Sequence, residues 1–175
     1  KLKKINNLNK LKKLFFKNVN SLSIKGLIIL SPEGINGTLA GSLKNINSIK
    51  KIIISELNIS KFDIQNITRS NFIPFLKAKI KIKTEVVPIN EKYDFDKKFK
   101  KKYLTPSQWN NFISLKNTKI IDARKPFEYR VGTFKKAINP NINNFREFKN
   151  YLSNVKKDEN VGMFCTGGIR CEKAS

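Results

Sequence analysis

The chain has 175 residues and a mass of 20.2 kDa, which is enough for one ordinary domain or two small ones with a buried core. Hydrophobic residues make up 39% and aromatic residues 10%, fractions that exclude a wholly disordered chain. No apolar run approaches the roughly 20 residues of a membrane-spanning helix, and no signal-peptide core follows the basic start. We therefore expect a folded, soluble and cytoplasmic protein.

The net charge is +23, from 36 basic and 13 acidic residues, and such an excess attracts polyanions. Up to Lys102 there are 23 basic and 7 acidic residues (+16), and beyond it 13 and 6 (+7). We expect nucleic acid as a partner, in contact mainly with the first part of the chain. The alternative is that much of the lysine excess only reflects an AT-rich genome, since Ile and Asn are also abundant.

The chain has no histidine. This excludes zinc and iron sites built on imidazole, and also Ser-His-Asp and Cys-His catalysis. We identify no metal site and no cofactor, because no flavin or nicotinamide fingerprint is present. The only two cysteines, Cys165 and Cys171, lie near the chain end, a pattern typical of reactive thiols in a reducing compartment rather than of a disulfide framework.

The first half of the sequence predicts elements in the order α-β-β-α-β. Their predicted positions are about 7–17, 25–30, 37–41, 46–57 and 78–82. The helices follow from apolar residues at helical spacing, and the last strand from apolar residues that alternate with lysines. One more strand before Lys1 would complete a ferredoxin-like fold, so residues 1–90 are assigned to a ferredoxin-like, acylphosphatase-like domain lacking its first strand.

Residues 91–102 are charged and end in a run of lysines around one phenylalanine. This predicts a basic surface linker, whose lysines are either simply solvated or in contact with nucleic acid. Beyond it, Thr105 is predicted to cap a helix with Pro106 at its first position and Gln108 at its third. This helix opens a second domain, which we assign to residues 103–175.

Two short apolar runs in the second domain, Lys119–Ile121 and Asn160–Phe164, predict parallel strands separated by helical material. The overall fold class is therefore α+β followed by α/β. Functional groups in parallel sheets gather at the carboxyl ends of the strands. Asp122 and Arg124 follow the first run and Cys165 follows the second, so we expect these residues at one edge of the sheet.

The chemistry centres on a short loop between Cys165 and Arg170. Its members are Thr166, Gly167, Gly168 and Ile169. Two adjacent glycines let backbone N–H groups turn inward, and a helix starting near Arg170 adds the positive end of its dipole, so we predict an anion cradle with the sulfur at its floor. A cysteine there ionises at neutral pH and becomes a nucleophile, with Arg170 as a fixed cation at the rim. The alternative is a buried, inert cysteine at a strand end.

The length of this loop separates two kinds of cysteine chemistry. Cysteine-dependent phosphatases place five residues between their cysteine and arginine, which makes room for a phosphate. Here only four residues separate Cys165 from Arg170. The shorter cradle favours a persulfide or another small sulfur-bearing anion.

Several segments resemble the tRNA uridine hydroxylase family, in which a ferredoxin-like domain precedes a rhodanese domain. They are Lys25–Gly41 with its Glu-Gly-Ile-Asn-Gly string, Leu76–Val87, Asp122–Arg124 with Tyr129–Pro140, and Phe164–Ser175. The resemblance runs from about Leu8 to Ser175, and a rhodanese loop joined to Glu-Gly-Ile-Asn-Gly is highly specific. It implies that residues 103–175 form a rhodanese domain, and that the chain is truncated at both ends.

The resemblance implies oxygen-dependent 5-hydroxylation of the wobble uridine in tRNA, the first step toward 5-carboxymethoxyuridine. Molecular oxygen is then a co-substrate, although the sequence shows no means of activating it. On matching positions Cys165 is the essential cysteine, and one hypothesis is that it adds to C6 of uracil to activate C5. Cys171 matches a second cysteine, which either resolves a sulfenic or persulfide state of Cys165 or merely packs.

Other candidate residues carry weaker signals. Glu33 and Asn36 belong to a polar turn after a predicted strand, where they serve either the turn itself or substrate contact. Asp122 and Arg124 either contribute to the site or form a structural ion pair. Aromatic side chains are expected to stack on unpaired anticodon bases, but the sequence does not identify which of them do so.

The sequence ends about one helical turn beyond the loop, so we expect the second domain to be incomplete at its C-terminus. Three hypotheses follow. The chain is a tRNA hydroxylase, a rhodanese-type sulfurtransferase that carries a persulfide on Cys165, or an inactive tRNA-binding fragment.

Overall fold

A computed structural model describes residues 1–96, 103–156 and 159–174 of the chain. The lysine run at 97–102 of the predicted linker lies outside these residues. The chain divides into two compact units, Lys1–Val86 and Val87–Ser175. Within the described parts, no helix is both long and apolar enough to cross a membrane.

The first unit has the predicted order of helices and strands. Its elements are α1 (Leu8–Ser21), β1 (Lys25–Ser31), β2 (Gly34–Ala40), α2 (Leu43–Glu56) and β3 (Ala78–Ile82). The sheet order is β2-β1-β3, in which β1 is antiparallel to β2 and parallel to β3. Helix α1 extends past the predicted end at residue 17 because Val19 still packs into the core.

One face of this sheet forms the core of the first unit together with the two helices. The buried residues of the core are Ile5, Leu11, Phe15, Val19, Ile24, Ile28, Leu30, Ile35, Ile49, Ile53, Leu57 and Ile80. Strand β3 contributes Ile80 to this core and turns Lys79 and Lys81 to the opposite face. The alternation of apolar and lysine residues that predicted this strand therefore separates a core face from a charged one.

The first five residues lie antiparallel along β2. The backbone N–H of Ile35 donates to the carbonyl of Lys1 at 2.9 Å, and that of Lys3 donates to the carbonyl of Glu33 at 3.0 Å. Leu2 forms an antiparallel bridge with Gly34. These contacts satisfy backbone groups on the edge of β2 that faces away from β1.

The second unit is an α/β structure with a parallel sheet, as predicted. Its elements are α3 (Pro106–Ser114), β4 (Thr118–Asp122), α4 (Pro126–Val131), β5 (Ala137–Ile138), a 3-10 turn (Phe145–Glu147), α5 (Phe148–Leu152), β6 (Asn160–Phe164) and α6 (Ile169–Ala174). The sheet order is β5-β4-β6, with both pairs parallel. The predicted cap of α3 is confirmed, since the Thr105 hydroxyl accepts from the Gln108 N–H and the Gln108 side chain accepts from the Thr105 N–H.

The central strand β4 sets the geometry of the site. Ile121 and Phe148 are fully buried on its core side. At the carboxyl end of β4, Asp122 stands opposite Phe164 of β6, and the N–H of Ala123 donates to the Phe164 carbonyl at 3.0 Å. The segments that follow β4 and β6 therefore start side by side at the same edge of the sheet.

Candidate active site

The sulfur of Cys165 lies in a cradle of hydrogen-bond donors directly after β6. It accepts a hydrogen bond from the Cys171 thiol and from the backbone N–H groups of Cys171, Arg170 and Gly167. Burial alone would raise the pKa of Cys165, but these four donors stabilise the thiolate and lower its pKa to about 6, the Cys171 thiol most of all. At neutral pH Cys165 is therefore mainly a thiolate.

Cys171 is the protonated member of this cysteine pair. Its hydrogen bond to Cys165 and its burial both raise the pKa of Cys171, because a second thiolate beside the first would be repelled and poorly solvated. Both cysteines are free and half-buried. The pair thus combines one nucleophilic sulfur with one neutral thiol in direct contact.

The loop reaches this shape because of one left-handed glycine. Gly168 has φ of 72°, a conformation that side chains with a Cβ rarely adopt, and it turns the chain from β6 into α6. Gly167 donates its N–H to the Cys165 sulfur, and a Cβ on it would meet no atom within 4 Å. Ile169 is the first residue of α6 and is partly buried.

Arg170 contributes to the cradle through its backbone. Its guanidinium donates to the Ala123 carbonyl at 3.4 Å and to a Glu128 carboxylate oxygen at 3.2 Å. The sequence predicted this guanidinium as a fixed cation at the rim, and in the structure its partner is a carboxylate that the sequence analysis did not identify. That pairing fixes the start of α6, and with it the N–H groups that face the sulfur.

Glu128 is the residue that connects the loop to the rest of the site. One of its carboxylate oxygens accepts from the Thr166 hydroxyl, and the other accepts from Arg170 and from the Lys125 N–H at 3.0 Å. Burial raises the pKa of Glu128, but the hydrogen bonds from Thr166 and Lys125 and the charge of Arg170 outweigh it and lower the pKa. Sequence analysis missed Glu128, although Glu three residues after Lys125, in a helix opened by proline, is a recognisable helix-start signal.

Asp122 and Arg124 form the ion pair considered from the sequence. Arg124 donates from Nε and from one terminal nitrogen to the two carboxylate oxygens of Asp122, at 2.9 and 2.7 Å. Asp122 is fully buried, and Thr133 donates to it at 2.9 Å. Burial raises the pKa of Asp122, but the hydrogen bonds from Arg124 and Thr133 lower it overall. The hydrogen bond to Asp122 raises the pKa of Arg124, and the Cys165 charge adds to this effect.

An open pocket of about 360 Å³ is lined in part by Cys165. Its lining residues are Arg124, Gly132, Thr133, Phe134, Phe164, Cys165 and Thr166. The structure thus brings Arg124, Cys165 and Thr166 together at this pocket. Asp122 does not line the pocket but holds Arg124 through their ion pair. The two phenylalanines of the wall were not identified from sequence, because nothing in composition or spacing separates them from core phenylalanines.

Glu33 and Asn36 belong to the first unit. Glu33 lies in the two-residue turn between β1 and β2, and it is buried. Its carboxylate accepts from the Val86 N–H at 2.8 Å, so it ties the hairpin to the end of the unit. Asn36 is a half-buried residue of β2 paired with Ile29. The predicted turn thus contains Glu33 but not Asn36, because β2 begins at Gly34, ahead of Asn36.

Three relatives of known name are similar to this chain over most of its length. The tRNA uridine(34) hydroxylase of Pelagibacter ubique (strain HTCC1062) is 47% identical over 100% of the chain and 58% of that protein. The enzyme of the same name from Legionella pneumophila (strain Paris) is 38% identical over 98% of the chain and 68% of that protein. The one from Synechocystis sp. (strain ATCC 27184 / PCC 6803 / Kazusa) is 39% identical, and the chain spans 56% of it.

The first unit also matches a protein family of its own. The family model described as "UPF0176 acylphosphatase like domain" matches residues 1–86. An acylphosphatase-like unit followed by an α/β unit with a cysteine at the end of a parallel strand defines a class of two-domain proteins. Within that class, the chain belongs to the tRNA uridine(34) hydroxylase family. It spans 58% of the length of the Pelagibacter relative.

Proposed function

We propose that the protein hydroxylates C5 of the wobble uridine in tRNA, in an oxygen-dependent reaction that uses Cys165 as the nucleophile. The observation that carries this proposal is the Cys165 thiolate, held by four donors in a residue that lines an open pocket. Family membership supplies the substrate, because the relatives are named for hydroxylation of tRNA uridine 34. The cytoplasm is the expected location for such a substrate.

The proposed chemical step begins with addition of the Cys165 sulfur to C6 of uracil. This addition breaks the 5,6 double bond and makes C5 an electron-rich, enolate-like carbon. C5 then adds O2 to form a C5 hydroperoxide and loses its proton, and the sulfur leaves C6 so that the double bond forms again. Cys165 thereby returns to the thiolate state with which it began.

The O–O bond of this hydroperoxide is then broken by the released Cys165 thiolate, which takes the outer oxygen as a sulfenic acid, and condensation with the Cys171 thiol releases that oxygen as water. In balance, uridine C5–H, O2 and two thiols give C5–OH, water and one disulfide. Cys165 and Cys171 are in hydrogen-bond contact and therefore suited to provide these two thiols, after which an external thiol reductant restores them. In this scheme Cys171 is the resolving cysteine.

The backbone of tRNA requires a basic surface, and the first unit offers one. It carries 17 basic and 4 acidic residues, a net charge of +13. Four exposed lysines, which we name the lysine row, alternate along β3 and its flanks: Lys77, Lys79, Lys81 and Lys83. At two residues per repeat, their spacing is about 6.6 Å, so the row presents a line of cations to phosphates.

Nucleoside mass spectrometry tests the proposed reaction. The chain, or its Cys165→Ser variant, is expressed in a bacterial strain that lacks its own wobble-uridine hydroxylases, and tRNA is digested and analysed. We expect 5-hydroxyuridine or its carboxymethoxy derivative to return only with Cys165 present. Return of the product with Cys165→Ser would overturn the cysteine mechanism. Absence of the product with both proteins would contradict hydroxylation by this chain and leave the sulfurtransferase and the tRNA-binding fragment.

Trapping with 5-fluorouridine tests the step at C6. Fluorine at C5 cannot leave as a proton does, so the adduct between Cys165 and C6 should accumulate. We expect tRNA containing 5-fluorouridine to form a covalent complex with the chain and none with Cys165→Ser. Hydroxylation without any detectable adduct would contradict addition to C6.

A rhodanese-type sulfurtransferase is the second candidate function, and the cradle itself favours it. Three backbone N–H groups around one sulfur would equally stabilise the terminal sulfur anion of a persulfide on Cys165. Such an enzyme would transfer sulfur from thiosulfate to cyanide without RNA. Turnover in that assay, together with unmodified tRNA in the mass spectrometry experiment, would replace the hydroxylase proposal.

A further inference from the structure

We infer that the pocket beside Cys165 is a binding site for one extruded pyrimidine base, which stacks on the ring of Phe134. This inference rests on the proposed function, because it assigns the place where the uracil of the substrate meets the thiolate. It gives a role to Phe134, a residue to which the sequence analysis assigned none.

The size and position of the pocket fit a single nucleoside. Its volume of about 360 Å³ is at the lower end of the range for small-molecule sites, and it opens to solvent at the carboxyl edge of the sheet. Cys165 is one of its lining residues. A base inside a stacked or paired anticodon could not place its C6 there, so the base must leave the stack to react.

The wall of the pocket is a fixed aromatic surface. The rings of Phe134 and Phe164 meet edge to face with centroids 4.9 Å apart. Trp109 packs behind both rings, at 5.4 Å from Phe134 and 6.0 Å from Phe164. Phe112 is a neighbour of Trp109 in this cluster. A Cβ on Gly162 of β6 would lie only 2.5 Å from the Phe112 ring, so the absence of a side chain on Gly162 lets the strand pass close to these rings.

Phe134 is the ring that remains available for stacking. It is 42% exposed despite its packing. The guanidinium of Arg124 already lies over the ring of Phe164 at 5.4 Å, and its donors are directed to Asp122 and the Gly132 carbonyl. An exposed phenylalanine that packs against other rings offers the kind of surface on which proteins stack unpaired bases.

Gly132 offers a way to close this pocket without disturbing the fold. It lies at the rim, its backbone is extended with φ of 161°, and a Cβ there would meet no atom within 4 Å. Gly132→Leu should therefore fold and place its side chain in the space that we assign to the base. Phe134→Ala removes the stacking surface instead, and Phe127→Ala is a matched control because Phe127 is 57% exposed but does not line the pocket.

Protection of Cys165 from alkylation tests the inference without requiring catalysis. The probes are an anticodon stem-loop RNA with uridine at the wobble position and the same RNA with an abasic site there. Iodoacetamide alkylation of Cys165 is followed by mass spectrometry at saturating RNA. We expect the uridine RNA to slow alkylation about ten-fold or more, and the abasic RNA to bind without slowing it.

The variants complete the test. Phe134→Ala should lose the protection, and Phe127→Ala should keep it. In Gly132→Leu the leucine fills the pocket, so the uridine RNA and the abasic RNA should give the same alkylation rate. Equal protection of the wild type by both RNAs, or full protection of Phe134→Ala, would overturn the inference. Hydroxylation of tRNA without protection by the uridine RNA would overturn the assignment of this pocket as the base site and leave the proposed function standing. Protection by the uridine RNA without hydroxylation would overturn the proposed function and leave the base site standing.

Discussion

The Cys171 thiol donates a hydrogen bond to the Cys165 sulfur, and this contact contributes most to the low pKa of Cys165. The two residues sit at opposite ends of the loop that Gly168 turns, so the loop itself brings them together. A neutral thiol is therefore the main electrostatic partner of the thiolate. The nearest arginines are paired with Asp122 and Glu128.

We expect Cys171→Ala to raise the pKa of Cys165 above its value of about 6. The variant removes the strongest donor to the thiolate, whereas Cys171→Ser keeps a hydroxyl donor in nearly the same place. The rate of iodoacetamide alkylation against pH measures this pKa. In the wild type the rate should rise with a midpoint near pH 6 and be close to its plateau at pH 7.

The serine variant is the control for this prediction. At pH 7, alkylation of Cys171→Ala should be slower by about ten-fold, since an unperturbed cysteine is only a few per cent thiolate there. Cys171→Ser should lose much less. An unchanged midpoint in Cys171→Ala would show that the backbone N–H groups alone set the pKa, and that Cys171 acts only as a redox partner or in packing.

Much of this site could be predicted from sequence because its main determinants are local. Two glycines after Cys165 indicate an inward turn of the backbone, and the apolar runs before Asp122 and Cys165 indicate strands that end at one edge. The partners of Arg170 could not be predicted in this way. Its guanidinium pairs with Glu128, which is 42 residues away in the chain and meets it only through the sheet topology.

Glu128→Ala should destabilise the second unit and loosen the loop. It leaves the Arg170 guanidinium, the Thr166 hydroxyl and the Lys125 N–H without the carboxylate they share, at a cost of about 1–3 kcal/mol. Trp109 is the only tryptophan of the chain, so urea unfolding followed by its fluorescence reports on this unit.

The pH dependence of unfolding is a second test of the contribution of Glu128 to stability. The folded-state pKa of Glu128 lies below its usual value of 4.5, so the carboxylate adds stability above that value. This contribution disappears as the pH falls through the lowered pKa. Glu128→Gln should therefore be less stable than wild type at pH 7 and lose less stability on acidification; parallel curves for the two proteins would contradict the assignment.

Adjacent glycines should respond differently to alanine. Gly168→Ala places a Cβ at φ of 72°, which costs about 1–2 kcal/mol and displaces the N–H groups of the cradle. Gly167→Ala has open space for its methyl group and keeps the N–H that faces Cys165. We expect slower alkylation of Cys165 and lower stability only for Gly168→Ala. Equal effects of the two variants would mean that the left-handed turn does not set the cradle.

The lysine row should determine how strongly RNA binding depends on salt. Lys79 and Lys81 stand opposite Leu27 and Ile29 of β1, so their neighbours across the strand pair are apolar residues. Replacing both lysines with glutamine removes two cations. The slope of log K against log salt for tRNA should then become shallower by about 1.4–1.8, which corresponds to two phosphate contacts.

A control with the same change of charge separates this surface from the general basicity of the chain. Lys12 and Lys13 are exposed on α1, and their double replacement with glutamine lowers the net charge equally. We expect that variant to alter the salt slope by less than half as much as Lys79→Gln with Lys81→Gln. If both double variants change the slope equally, tRNA is attracted by the overall charge of the first unit. If neither changes it, the phosphate contacts lie elsewhere, because a cation that displaces counterions from RNA must appear in this slope.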